Sequence, residues 1–347
     1  MIQASAYAAL SAGADLTPFQ VSRRAPGPHD VLIDIEYCGI CHTDIHMAHG
    51  DIPGRLFPLV PGHEIVGRVR QVGTAVHKHA VGDRVGVGCI IDSCYSCGEC
   101  LSGQEQFCDR RVGTYGRYEK DGTTPAYGGY STSITVAEDF VLSIPSSLAP
   151  AGAAPLLCAG ITTFSALRHW AVRSDSRVGV VGIGGLGHLA IKLAAAMGAD
   201  VTALSTSETK RDDALRLGAT DFITTRNPEA FARHAGRFDL VLNTVSASLD
   251  LDAYLGLLAR DATLVMLGVP DTPVSFNVMN LLQRRKKVSS SPIGGIRETQ
   301  EMLDFCGRHG IGADVEVISI DDVNKAFDRV LRSDVRYRFV IDVDSLR

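Results

Sequence analysis

Charge of one sign is scarce in runs. The longest basic stretch is Arg284-Arg285-Lys286-Lys287, and 34 Lys and Arg against 39 Asp and Glu leave a net charge of −5. That excludes the electrostatic footprint of a nucleic-acid binder, so no nucleic-acid partner is expected. Helix-ready apolar spans are missing too. The longest uncharged run, Phe140 to Leu167, is broken by Pro145, Pro150, Pro155, Gly152 and Gly160, which would interrupt any membrane helix. The opening residues, MIQASAYAALSAGAD, show neither a basic leader nor a continuous apolar core, so a soluble, cytoplasmic protein with no membrane partner is expected. The single tryptophan, Trp170, reads as core packing. What remains is ordinary globular composition, 45% hydrophobic and 21% charged, which rules out disorder and coiled coil. Nine cysteines in a reducing compartment point to metal binding or catalysis rather than to disulfides.

A length of 347 residues suggests two domains. Residues 1–154 are rich in Gly and Pro, with short β-type runs VLIDIEYCG, EIVGRVRQVG and DRVGVGC separated by turn signals, as in a compact β-domain. Over 155–292 the apolar runs RVGVVGI, DVTALS, DFITT, FDLVLNTV, ATLVMLGV and KKVSSS alternate with helical segments, the signature of a doubly wound, six-stranded parallel sheet. Two amphipathic helices, Arg297–His309 and Asp321–Leu331, and a last strand YRFVIDV are expected in 293–347, which rejoins the first domain in an α/β two-domain chain.

The strand 178–183 runs directly into Gly182-x-Gly184-Gly185-Leu186-Gly187, and a helical pattern follows. Strand, glycines and helix in that order mark a dinucleotide site, where the backbone must approach a pyrophosphate held at a helix N-terminus. The next strand should end in an acid for NAD. It ends in Ser205-Thr206-Ser207, with Lys210 and Arg211 behind, a set suited to the 2′-phosphate of NADPH or NADP+. The competing reading of those residues is a Ser helix cap followed by a solvated cation pair. Cys94, Cys97, Cys100 and Cys108 form a four-thiolate cluster on a Gly-rich loop, the pattern of a closed structural zinc site. An iron–sulfur cluster is disfavoured, because the last gap is seven residues and no Cys-Pro closes the run. Cys38, Cys89 and Cys306 lie in or beside apolar runs and read as buried structural thiols.

Cys41 in CGICHTDIH, His63-Glu64 in VPGHEIVGRV and Cys158 in APLLCAGIT are not united by spacing. Together with GDRVGVG, the four-cysteine loop, GGYS, VGIGGLGHLAIKLAAAMGA, IGGIRETQEMLDFC and DVRYRFVID, these motifs resemble the zinc-dependent medium-chain dehydrogenases/reductases. Within them the chain is most similar to the cinnamyl alcohol dehydrogenase-like branch, close to bacterial NADPH-dependent broad-range aldehyde reductases. The resemblance spans nearly the whole length. It implies a GroES-like β-rich catalytic domain beside the Rossmann domain, two Zn2+ per chain, and a catalytic zinc on Cys41, His63 and Cys158. Glu64 would be a neighbouring or transient ligand, and Asp44 would orient the imidazole.

The same resemblance implies reversible reduction of aldehydes to primary alcohols. A Lewis-acidic zinc polarises the carbonyl, the nicotinamide delivers hydride, and a proton passes through Thr43 and the ribose to His46. Thr162, Val269, Ile293 and the pyrophosphate-reaching Arg338 would complete the cofactor set, and a homodimer is expected. Two alternatives remain open, an NAD-preferring alcohol oxidiser and a non-catalytic, zinc-stabilised dinucleotide-binding redox sensor. The second would have no need of Cys41, Thr43, His46, His63 and Cys158 together.

Overall fold

A computed structural model describes residues 1–270 and 272–347. In chain order the elements used below are β1 (Ile2–Ala9), β2 (Leu16–Arg23), β3 (Asp30–Gly39), α1 (His42–His49), β4 (Ile65–Val72), β5 (Arg84–Val87), β6 (Ile90–Asp92), β7 (Val112–Gly113), β8 (Ser133–Ala137), β9 (Leu142–Ser143) and α2 (Ala159–His169). Then come β10 (Arg177–Val181), α3 (Gly187–Ala196), β11 (Asp200–Ser205), α4 (Arg211–Arg216), β12 (Asp221–Thr224), β13 (Phe238–Asn243), β14 (Leu258–Met266) and β15 (Lys287–Ser290). The chain closes with α5 (Ile296–His309), β16 (Val315–Ser319), α6 (Val323–Leu331) and β17 (Arg338–Asp342). Two compact units result, Met1–Ile161 with Gly294–Arg347, and Thr162–Ile293.

The first unit holds a seven-stranded mixed sheet in the order β16-β17-β3-β4-β5-β9, with β8 paired to β3. The hairpin β1-β2 and the pair β6-β7 form small sheets of their own. Strand β3 is the hub. Its residues Val31, Leu32, Ile33 and Ile35 are fully buried, and it pairs antiparallel with β4, β8 and β17. β16 is a strand that the periodicity does not announce. The C-terminal helices form as the pattern requires, with Met302, Leu303 and Cys306 of α5 and Val323, Ala326 and Phe327 of α6 turned inward.

In the second unit all six strands run parallel, in the order β12-β11-β10-β13-β14-β15. The central strands are buried on both faces, which is why they read as unbroken apolar runs instead of alternating ones. The order reverses between β10 and β13, and in such sheets ligands bind at the carboxyl ends of the strands beside that reversal. Trp170 is half-buried against the His169 ring, with centroids 4.5 Å apart, and so is not a full core residue. Among the described residues no single helix is long and apolar enough to cross a membrane. The apolar stretch after Pro150 folds instead as two helical pieces bent by 56° about Cys158.

Candidate active site

Cys41 is the N-cap of α1, and Asp44 occupies the third helical position. The Asp44 carboxylate reaches back to accept the Cys41 backbone N–H (2.8 Å), the reciprocal bonding of a capping box in which cysteine replaces serine. The C-x-x-D spacing therefore sets the Cys41 sulfur at a helix N-terminus, where negative charge is stabilised. His63 lies in the loop entering β4, two residues before the strand begins, and Cys158 sits at the bend before α2. The Sγ atoms of Cys41 and Cys158 lie 3.9 Å apart, and ligand atoms of Cys41, His63, Glu64 and Cys158 all lie within 4.8 Å of one another. A tetrahedral ion with Zn–S bonds of about 2.3 Å needs sulfurs about 3.8 Å apart, so the donor set fits zinc.

The electrostatics point the same way. The hydrogen bond from Cys158, and then His63, hold the Cys41 thiol well below its usual range, while Cys41 and Cys89 push Cys158 well above it. Two sulfurs this close share one proton unless a cation replaces it. Burial opposes charge on His63, but Asp44 outweighs it and holds the imidazole well above its usual range, so a metal bound there would displace a ring proton. The His63 Nδ1 lies 3.1 Å from Asp44 Oδ1, which leaves the other ring nitrogen for a metal. Asp44 is fully buried and also takes the Gly62 N–H (3.1 Å) and the hydroxyls of Tyr115 (2.6 Å) and Tyr130 (3.3 Å). Burial pushes the Glu64 carboxyl up to about 7, against the pull of Arg338, whose guanidinium pairs with it in the interior. Arg338 thus lies on the ligand-bearing side of the first unit, with its Nε making no hydrogen bond.

Thr43 is exposed on the first turn of α1, and His46 is half-exposed one turn on, its Nδ1 2.8 Å from Asp51 Oδ2. Asp51, Tyr115 and Tyr130 are site residues that spacing does not reveal. Tyr130 lies in the GGYS motif, but Tyr115 carries no local signal at all. Cys38 and Cys306 are buried, as read from the sequence. Cys89 is not such a thiol: it is half-buried and interacts with Cys158, because the turn after β5 carries it to the sulfur pair.

The second cluster is local. Cys94, Cys97, Cys100 and Cys108 bring their sulfurs within 4.8 Å of one another, with Cys94–Cys100 at 3.8 Å and Cys97–Cys100 at 3.5 Å. Backbone N–H groups of Ser96 and Cys97 hold the Cys94 thiol down to about 5, poised as a thiolate. Among the described residues no imidazole or carboxylate joins these four sulfurs, a set that fits a closed structural zinc site.

In the second unit Gly182 follows β10 with φ +88°, and a Cβ on Gly187 would meet the Gly182 carbonyl oxygen at 2.0 Å. Both glycines are therefore required for the tight strand-to-helix turn. Gly184 has open space where a side chain would stand, Gly185 and Leu186 are half-buried, and α3 begins at Gly187. At the end of β11 Ser205 is buried and its Oγ accepts the Ser207 N–H (3.2 Å), while Thr206 is exposed. The Lys210 ammonium donates to the Ile183 carbonyl (2.8 Å), bridging back to the glycine loop. Val269 is exposed after β14, Ile293 is half-buried after β15, and Thr162 is buried on α2.

The family model "Alcohol dehydrogenase GroES-like domain" matches residues 27–146, and "Zinc-binding dehydrogenase" matches residues 185–308. NADP-dependent alcohol dehydrogenase C 1 of Mycolicibacterium smegmatis is 56% identical over the full length of both chains. The aldehyde reductase YahK of Escherichia coli is 53% identical over 97% of each chain. Among solved structures, a CAD from Helicobacter pylori complexed with NADP(H) superposes with a TM-score of 0.92 at 40% identity, covering 99% of both chains.

Proposed function

Because the chain belongs to the family of zinc-binding alcohol dehydrogenases with a GroES-like domain, we propose that it reduces aldehydes reversibly to primary alcohols with NADPH. The observation that carries this reading is the cluster of Cys41, His63 and Cys158, with His63 oriented by Asp44. Zinc, when bound, supplies a Lewis acid for the carbonyl oxygen, and NADPH supplies the hydride. The chain's own residues do the rest. Two thiolates and a neutral imidazole balance the ion's charge. Thr43, exposed beside Cys41, offers a hydroxyl that both donates and accepts at the alcohol oxygen. His46, three residues on along the same helix face, passes the proton onward, and Asp51 holds its Nδ1. Ser205, Ser207 and Lys210 surround the 2′-phosphate, and the 182–187 loop takes the pyrophosphate. Thr162, Val269 and Ile293 serve the nicotinamide end. Arg338 is paired with Glu64 in the interior of the first unit.

The same reading makes the protein a cytoplasmic homodimer, a compartment that keeps thiol clusters reduced. The dimer contact is assigned to β15, one of the two edge strands of the parallel sheet, with Val278, Met279 and Leu282 exposed just before it. Turnover of an aldehyde panel with NADPH tests the function. Cys158→Ala and His63→Ala should abolish turnover while NADPH binding, followed by fluorescence, persists. Full activity in either variant overturns the assignment.

A further inference from the structure

The Asp44 carboxylate is crowded. Five donors converge on it, and a carboxylate offers about four lone-pair sites, so the donors compete. The shortest of these contacts comes from Tyr115, and it falls on Oδ1, the same oxygen that takes His63 Nδ1. The Tyr115 ring also stacks on the His63 imidazole, with centroids 5.8 Å apart and planes 25° from parallel. All three residues are buried, with 5% or less of each exposed. Tyr115 is itself held from the neighbouring strand pair. Its predecessor Thr114 donates its N–H to the Cys89 carbonyl (3.2 Å), and β7 pairs with β6.

We propose that Tyr115 is a positioning residue for the metal ligand His63, gripping it through the stacked ring and through the shared Asp44 oxygen. The phenol draws electron density from Oδ1. Without it, the carboxylate would pull harder on the His63 N–H, alter the donor strength of the imidazole and loosen the ring's orientation. The residue is buried against Asp44 and His63 and acts through His63. The inference rests on the reading that Cys41, His63 and Cys158 hold the catalytic metal.

The experiment uses the full-length enzyme with cobalt at the catalytic site, which has a visible absorption band sensitive to ligand geometry. His63→Ala comes first and must lose the band; if it keeps it, the ligand reading fails and this inference falls with it. With that established, Tyr115→Phe should shift the band and speed chelator extraction of the metal by about threefold to tenfold. That lies at or below the low end of what direct ligand partners show, because the residue is one bond further out. Tyr130→Phe, which removes a longer contact to the other oxygen, should change extraction less than about twofold. A Tyr115→Phe protein with the wild-type band and extraction rate overturns the inference, and so does an equal effect in Tyr130→Phe. If Tyr115→Phe does not fold, 3-fluorotyrosine at position 115 keeps the ring and strengthens the donor. The band should then move the opposite way, and an unmoved band is again a refutation.

Discussion

Cofactor choice should turn on Lys210. Its ammonium donates to the Ile183 carbonyl, so it stands between the end of β11 and the glycine loop rather than trailing into solvent. Arg211 is differently engaged: it pairs with Glu208 (2.5 Å) and lies over the Phe222 ring at 4.7 Å. Glu208, the one acid in the segment, is held by Arg211 and the Thr224 hydroxyl. Lys210, anchored at the glycine loop, is the cation proposed for a 2′-phosphate, beside the Ser205 and Ser207 hydroxyls. A hydrogen bond to a charged group is worth about 1.5–3 kcal/mol, and Lys210 is half-buried, so the lower figure applies. At about 1.4 kcal/mol per decade, Lys210→Ala should raise the KM for NADPH about tenfold, with kcat little changed and NADH use unaffected. Ser205→Asp should shift the NADPH to NADH ratio of kcat/KM further. Ser205 is only 7% exposed, so the new carboxylate would stand against the phosphate with little screening while accepting the NADH ribose hydroxyls. The assay is kcat/KM for both cofactors in wild type and both variants. Equal use of NADH and NADPH by the wild type, or an unchanged ratio in Lys210→Ala, refutes the reasoning.

Arg338→Met should destabilise the protein by about 3 kcal/mol, because it strands the buried Glu64 carboxyl, whereas Arg338→Met with Glu64→Gln should recover most of that loss in denaturant unfolding. Equal stability of the single and double variants would contradict it. Cys100→Ser should lose one of two zincs by elemental analysis and lower the melting temperature, since three thiolates no longer close the site. Cys38 and Cys306 should resist a thiol reagent in the folded protein, and Cys89 should label faster than both; mapping by mass spectrometry decides. Burial works against ionised Asp30, yet Arg24 and the Gly27 N–H hold it below the usual carboxylate range. An acid with a lowered folded pKa contributes stability above its unfolded pKa and loses it as pH falls through the folded one. Asp30→Asn should therefore flatten the loss of stability that sets in below about pH 4, and an unchanged acid limb would count against the pairing.

Features written within a few residues of each other are legible in the chain alone. The four cysteines of the closed cluster lie within residues 94–108, and the glycine turn, its strand and its helix are contiguous, so covalent spacing confines their geometry. The six parallel strands are legible because burial on both faces forces unbroken apolar runs. β16 is not, being only partly buried along its length. The Cys41–His63–Cys158 set is joined only through family resemblance, since 117 residues separate the two sulfurs. Tyr115 and Cys89 have no pattern to betray their roles.

What only the tertiary structure decided is the register that brings distant residues together. β17 pairs with β3 so that Val340 faces Gly39, and β3 pairs with β4 so that Cys38 faces Ile65. Those two registers set Arg338 on Glu64 across 274 residues and carry His63 to the helix that Cys41 caps. The sequence by itself determined the donors, the glycines and the strand period, because each is a local property of the chain. Register belongs to the whole sheet: a slip of one residue would turn every buried side chain of β3 toward the opposite face, and only the packed core selects against it.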